Sequence, residues 1–311
     1  MKINKKSRIF IAGHNGMVGS SLCRKFNEVG FKNIITVSKK KVDLLNQKAV
    51  FNFLKKKKPD LVIIAAARAG GIYANFNYKA RFIYENLEIQ NNLIHGSYLA
   101  GVRKLFFLGS SCIYPKYAKQ PIKENYLLTS SLEPTNDAYA IAKISGLMMC
   151  KYYSENYKIE YKSLMPCNLY GPGDNYHDKN SHFFPALLKK ILNAKKKGIK
   201  TIKIWGSGKP KRELLYVDDL SSAVLFLMNK KIKEPFINIG SGKDHTIYWY
   251  ANFLINYFKL NLEIKFDRTK PDGVPRKLLD VSLLKKMGWK AQTTLKNGLS
   301  MVVKDFLENR A

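Results

Sequence analysis

Short β-branched and aromatic runs recur along the first two thirds of the chain, at 8–12, 33–37, 61–66, 104–108, 161–165 and 201–205. Between them, the stretches 19–29, 81–100 and 139–153 return apolar residues every three to four positions, the period of a helix with one buried face. Strand alternating with helix predicts an α/β fold: a doubly wound parallel sheet with helices on both faces. The run LVIIAAA at 61–67 shows no apolar–polar alternation, which fits a strand covered on both sides. Beyond about residue 175 the pattern shifts to shorter strands, Pro/Gly turns and basic helices, predicting a smaller C-terminal lobe over the strand ends. The expected division is 1–175 for the first domain and 176–311 for the second, with later returns of the chain to the first.

A chain of 311 residues, 46% hydrophobic and 25% charged, can bury a sizeable globular core. No apolar run approaches the roughly 20 residues of a bilayer helix, and residues 1–10 are basic without a signal-peptide core. A soluble, cytoplasmic protein without a membrane partner is expected. The four cysteines form no CxxC pair, so free thiols and no metal site are expected. The formal net charge of +31 admits a nucleic-acid surface, an anionic substrate or plain solvation. The lysine runs 39–41, 55–58 and 195–197 lack the interleaved aromatics of a single-strand platform, so solvated surface is the reading and no nucleic-acid partner is expected.

Directly after the first run comes Gly13-His14-Asn15-Gly16-Met17-Val18-Gly19, a GxxGxxG spacing that opens a helix. Glycines there let the backbone bring a pyrophosphate against free N–H groups and the positive end of the helix dipole. Placed after a strand and before a helix, the loop predicts a Rossmann-type dinucleotide site. An acid about 20 residues further on would grip the ribose 2′-hydroxyl of NAD. Here stand Val37, Ser38 and Lys39 to Lys41 instead, which favours the 2′-phosphate of NADP(H), with Ser38 and Lys39 to Lys41 as candidate contacts and Asp43 and Leu44 near the adenine.

Tyr139 and Lys143 lie four residues apart, so on a helix they share a face. An ammonium near a phenol lowers its pKa and favours proton donation to a carbonyl. Ser110, in the segment 108–114 after a predicted strand, sits where ligands bind in such sheets and completes a Ser/Tyr/Lys set.

These motifs resemble the extended short-chain dehydrogenase/reductase family. Five further runs, at 109–115, 132–136, 166–172, 205–208 and 270–277, are similar to the GDP-L-fucose synthases within it. That resemblance spans nearly the whole chain. It implies epimerisation at C3 and C5 of GDP-4-keto-6-deoxy-D-mannose, then hydride transfer from NADPH to C4, giving GDP-L-fucose. It also implies that Cys112 and His182 exchange the epimerisation protons; without it, Cys112 reads as a small buried hydrophobe and His182 as a polar helix start. Cofactor contacts extend by the same match to Leu108, Gly109, Ser110, Ser111, Lys143, Pro166, Cys167, Asn168, Leu169 and His182. The match assigns Arg212 to the diphosphate as a bidentate clamp. Lys190, Trp205 and Asp272 become further nucleotide-sugar contacts, and Asn168 faces the sugar.

The chain departs from the family where an arginine is common near Val37 and Lys39, and where Cys167 replaces a threonine. Lysine does not stack on adenine as guanidinium does. Family members dimerise through two long helices, here 81–100 and 139–157, which implies a homodimer. Rival readings are another nucleotide-sugar epimerase, reductase or dehydratase, a silent NADP sensor, or a nucleic-acid binder. A 4-epimerase keeps NAD bound and needs no reductant. A dehydratase carries an acidic pair beside its tyrosine, and 110–112 has none. Intact Ser110, Tyr139 and Lys143 speak against a sensor, and a steep salt slope for DNA retention would mark a binder.

Overall fold

The computed structural model describes residues 2–178, 180–270 and 272–309; Pro271 of the run 270–277 lies outside them. The first half of the chain runs β1 (Ile9–Ala12), α1 (Met17–Glu28), β2 (Ile34–Ile35), α2 (Gln47–Lys57), β3 (Leu61–Ile64), α3 (Ile72–Asn77), α4 (Lys79–Leu99), β4 (Lys104–Leu108), α5 (Asp137–Tyr157) and β5 (Glu160–Pro166). It continues with β6 (Asn168–Tyr170), α6 (Phe183–Lys197), β7 (Thr201–Trp205), β8 (Lys211–Tyr216), α7 (Val217–Leu227) and β9 (Phe236–Ile239). The remainder is β10 (Asp244–Thr246), α8 (Ile247–Tyr257), β11 (Glu263–Asp267), β12 (Arg276–Lys277), α9 (Ser282–Lys286) and α10 (Leu295–Asn309).

Six parallel strands form the main sheet in the order β2-β1-β3-β4-β5-β9. Successive residues of a strand point to opposite faces, so Ile9 and Ile11 enter one core with Leu22 and Phe26 of α1, while Phe10 and Ala12 enter the other with Val50 and Leu54 of α2. Both faces are therefore dry, which is why the run at 61–67 never alternates. The chain leaves β1 for β2 on one side and then crosses to β3 on the other. That reversal makes the carboxyl ends of β1 and β3 the switch point where ligands bind in open α/β sheets.

Two strand expectations need correction. Thr201–Trp205 forms the predicted strand but stands apart from the main sheet, pairing in parallel with β11. Its burial alternates, Ile202 and Ile204 inside and Lys203 and Trp205 outside, as befits a strand with one wet face. The sixth place in the main sheet goes to Phe236–Ile239, a four-residue run too short to register as a strand from its pattern. The run 33–37 also shrinks to the two paired residues of β2.

The C-terminal part packs its own core from α6, α8, α10 and the flanking strands around Phe184, Leu188, Tyr250, Leu254 and Leu299. It also returns to the first core. Leu220, Val224 and Leu227 of α7 join the α1 side of the main sheet. There Ser21 Oγ lies 2.5 Å from Asp218 Oδ1 and 2.7 Å from Ser221 Oγ. Lysines of the runs 55–58 and 195–197 occupy the exposed C-terminal turns of α2 and α6, where cations complement the helix dipole. No helix among the described residues is long and apolar enough to cross a membrane. All four cysteines are free thiols.

Candidate active site

The glycine loop follows β1 at the switch point. Gly13 has φ of +90°, and a Cβ there would lie 2.6 Å from the Ala66 nitrogen beyond β3. Gly16 caps α1 without any side-chain bond to its first-turn N–H groups, and His14, Asn15 and Gly16 remain partly or fully open to solvent. Gly19 is pressed against the loop, where a Cβ would meet the Gly13 carbonyl oxygen at 2.1 Å. These three positions leave a cradle of backbone donors with no side chain in it, which fits a pyrophosphate. Gly19→Ala should cost about 1–3 kcal/mol of stability by overpacking, outweighing the roughly 1 kcal/mol of helix propensity gained. It should also weaken dinucleotide binding at least about tenfold by opening the cradle. Thermal unfolding and a fluorescence titration with NADPH check both.

At the end of β2, Ser38 closes a turn, its carbonyl accepting from the Lys41 and Val42 N–H groups at 3.0 and 3.1 Å. Lys39 is exposed and 3.9 Å from Asp43. The Leu44 carbonyl accepts from Asn92 Nδ2 at 2.9 Å. No acid occupies the strand end itself.

Beside the loop, β4 delivers the segment Leu108 to Cys112. Gly109 N–H donates to the Leu164 carbonyl at 2.9 Å, and a Cβ on Gly109 would meet the end of the Met165 side chain, which packs directly against the glycine. The Ser110 hydroxyl accepts the Cys112 N–H at 3.2 Å and starts a single 3₁₀ turn, Ser111–Ile113. Helix α5 brings Tyr139 and Lys143 to the same edge. Lys143 is buried and donates to the Leu108 carbonyl at 2.9 Å; burial brings its pKa down to about 7.

The ionisation of Tyr139 differs from the sequence expectation. Burial, reinforced by the neighbouring Cys112 thiol, pushes the phenol above its ordinary value, against a hydrogen bond with Ser110. The ammonium does not acidify it, because Lys143 is drawn to Leu108 and its Nζ lies 5.9 Å from the Tyr139 ring centre. The result is a phenol that keeps its proton, which is the state a donor to a carbonyl oxygen needs.

Cys112 is half-buried. Burial opposes ionisation of its thiol, but the Lys277 charge, hydrogen bonds with Ser110 and Lys277, and the Arg212 charge together hold it below the ordinary thiol value. His182 is the exposed N-cap of α6. Loss of hydration, then the Lys277 charge, keeps its imidazole below the usual value. Its segment is fixed to the edge of β3 by Gly71, whose N–H donates to the Asn180 carbonyl at 2.9 Å and whose Cβ would lie 2.3 Å from the Ser181 oxygen.

Residues 9–240 match the NAD dependent epimerase/dehydratase family. The chain belongs to that family. It is 47% identical over 306 residues to GDP-L-fucose synthase 1 of Arabidopsis thaliana, covering 98% of this chain and 95% of that protein. It is 44% identical over 314 residues to the GDP-L-fucose synthase of Escherichia coli strain K12, covering 98% of each. The solved GDP-L-fucose synthetase of Naegleria fowleri bound to NADP superposes with a TM-score of 0.90 at 26% identity, covering 99% of this chain and 96% of the other. Family membership supports a nicotinamide dinucleotide as the cofactor.

Of the remaining candidate contacts of this epimerase/dehydratase chain, Asp272 and Arg212 meet at the 272–274 segment, next to the turn after Trp205. Asp272 accepts from the Ser207 N–H at 2.6 Å and the Ser207 hydroxyl at 2.7 Å, tying that segment to the turn after Trp205. Trp205 is 50% exposed, with Lys270 Nζ 5.7 Å from its ring centre, so it is not core packing. Arg212 is buried and donates to the carbonyls of Val274 at 2.6 Å, Lys211 at 2.8 Å and Asp272 at 3.5 Å. Those carbonyls take part of the fork that the sequence reading gave wholly to a diphosphate. Lys190 lies nearby, donating to the Lys203 carbonyl at 2.8 Å. Asn168 is half-buried on β6, paired with Leu214 of β8. Pro166 ends β5, and Cys167 is buried, its N–H donating to the Ile239 carbonyl at 2.9 Å; burial raises its thiol well above the ordinary value.

Sequence reasoning missed Lys277, whose Nζ lies 3.3 Å from Cys112 Sγ across 165 residues of chain. It also missed Gly71 as the residue that fixes the His182 segment, and Arg68, paired with Glu85 at 2.9 Å just after β3. The adjacent Gly70 and Gly71 were the one visible signal, since a glycine pair after a buried strand marks close backbone approach. Tyr153 of α5 bonds His95 of α4 at 2.7 Å and packs against Tyr98 and Tyr157.

Proposed function

We propose that the chain converts GDP-4-keto-6-deoxy-D-mannose to GDP-L-fucose by 3,5-epimerisation and NADPH-dependent 4-reduction. The observation that carries this is the convergence of Ser110, Cys112, Tyr139 and Lys143 beside the glycine cradle, in a chain 44–47% identical to GDP-L-fucose synthases.

The cradle of Gly13 to Gly19 holds the pyrophosphate; the Ser38–Lys39 turn, free of an acid, receives the 2′-phosphate; Asp43 and Leu44 border the adenine. Leu108 to Ser111 and Pro166 to Leu169 flank the nicotinamide. When bound, the cofactor supplies the hydride for C4. Ser110 and Tyr139 both address the keto oxygen, and Lys143 keeps Leu108 and the helix edge in register. The keto group acidifies the C3 and C5 hydrogens. Cys112 Sγ takes such a proton, the C–H electron pair passing into an enolate whose oxygen the Ser110 and Tyr139 hydroxyls stabilise. His182 returns a proton to the opposite face. Each inversion thus turns the thiolate into a thiol and the protonated imidazolium into a neutral imidazole, and exchange with solvent resets both. After the inversions, Tyr139 gives its proton to the C4 oxygen. Arg212 with Lys190, Trp205 and Asp272 holds the nucleotide end, and Asn168 the sugar.

Residues 1–175, with the returns of α7 and β9, form the cofactor domain, and the rest of 176–311 mainly holds substrate. The homodimer forms through α4 and α5, which pack together and leave Tyr84, Ile141 and Tyr152 exposed. The reaction takes place in the cytoplasm.

Incubation with NADPH and GDP-4-keto-6-deoxy-D-mannose, followed by NMR of the sugar, tests the reading. The expected product is inverted at C3 and C5 and reduced at C4. A product reduced at C4 alone would restrict the chain to a reductase, and no NADPH consumption would overturn the proposal.

A further inference from the structure

The thiol assigned above as the epimerisation base has a cation aimed at it from the far end of the chain. Lys277 lies on β12, a two-residue strand pinned on every side. Arg276 bonds Asp244 at 2.6 and 3.1 Å, the Leu278 N–H donates to Gln120 at 2.9 Å, and the Leu279 N–H donates to Glu213 at 2.9 Å. This brace fixes where the Lys277 side chain starts. Its ammonium then ends 3.3 Å from Cys112 Sγ.

The charge balance around that contact is specific. β12 runs parallel to β8 with Lys277 directly opposite Arg212, and like charges so paired repel. Arg212 spends its donors on three main-chain carbonyls. Lys277 has no carboxylate partner among the described residues. Glu133 lines the same small cavity as Cys112 and Lys277, but it is ion-paired with Lys116 at 3.1 Å. Tyr139 approaches from α5 as a neutral phenol. Asp272 and Glu133 also face Arg212, which leaves the Lys277 ammonium with the sulfur of Cys112 as its partner.

We propose that Lys277 is a positioning residue that holds Cys112 as a thiolate in the resting protein, through a charge-assisted N–H···S hydrogen bond, so the base is formed before substrate arrives. The inference rests on the reading of Cys112 as the epimerisation base. Thiolates form where a cation lies close, and buried thiols without one stay protonated. The chain contains its own contrast: burial raises Cys23, Cys167 and Cys150, the last to about 12, and none of the three has a lysine hydrogen-bonded to its sulfur, although the more distant Lys277 charge also reaches Cys167.

The test uses the full chain without substrate. Alkylation of Cys112 by iodoacetamide is followed against pH and located by peptide mass spectrometry, in wild type, Lys277→Met, Lys277→Gln and Lys277→Arg. The expected wild-type profile rises at lower pH than an ordinary thiol. In the Met and Gln variants it moves to higher pH, with the rate at neutral pH falling about five- to tenfold. Arg restores it. Gln keeps a neutral hydrogen-bond donor and serves if Met fails to fold; unchanged NADPH affinity and thermal midpoint certify either variant. A profile in a folded Met or Gln variant that superimposes on wild type overturns the proposal. Absence of deuterium wash-in at C3 and C5 of the keto sugar in wild type would instead overturn the underlying reading, and the alkylation profile would stand by itself.

Discussion

Tyr139→Phe is expected to lower the rate of 4-reduction by about 10²–10⁴-fold while NADPH binds with unchanged affinity. The substitution removes one oxygen from a ring that packs edge-on against Phe82, with centroids 6.4 Å apart, so the packing that holds α5 in place survives. What disappears is the single proton that burial keeps on the phenol. Without it the oxygen created at C4 has only Ser110 to meet it, and an alkyl hydroxyl is a far weaker acid than a phenol toward a developing alkoxide. The measurement is single-turnover reduction beside a fluorescence titration with NADPH. Turnover within about threefold of wild type would remove Tyr139 from the role.

Cys112→Ser carries the second large effect, and it splits the reaction. The hydroxyl keeps the size of the thiol, but it has no accessible anion near neutrality, whatever cation stands beside it. Epimerisation should fall by about 10²–10⁴-fold, and reduction, which uses Tyr139, should persist. The product is then a sugar reduced at C4 with the C3 and C5 configurations of the substrate, identifiable by its proton couplings. Deuterium incorporation from solvent at those carbons should vanish in parallel. Wild-type product from this variant would take Cys112 out of the mechanism.

Legibility followed the range of the interactions. The β1–loop–α1 unit, the strand Lys104–Leu108 and the Tyr139–Lys143 spacing were readable because each is local: a pattern of period two or four and a glycine where the backbone must turn. Lys277 was not, since one lysine among 54 basic residues carries no sign of a sulfur 165 positions away. Phe236–Ile239 was lost to its brevity, and β7 was misfiled because its sequence states that it is a strand without stating which sheet takes it. The Tyr139 error has a different origin. A four-residue spacing puts phenol and ammonium on one face, but only the packed structure reveals that the Leu108 carbonyl claims the ammonium and that desolvation decides the phenol.

The return of α7 and β9 to the first lobe has a consequence for how such a protein can change. Cutting after residue 175 would strip the main sheet of an edge strand and expose the apolar flank of α1 that α7 covers. The C-terminal part is sewn through its neighbour at two places and cannot be exchanged like a cassette. Change in that part is confined to what leaves both crossings in place.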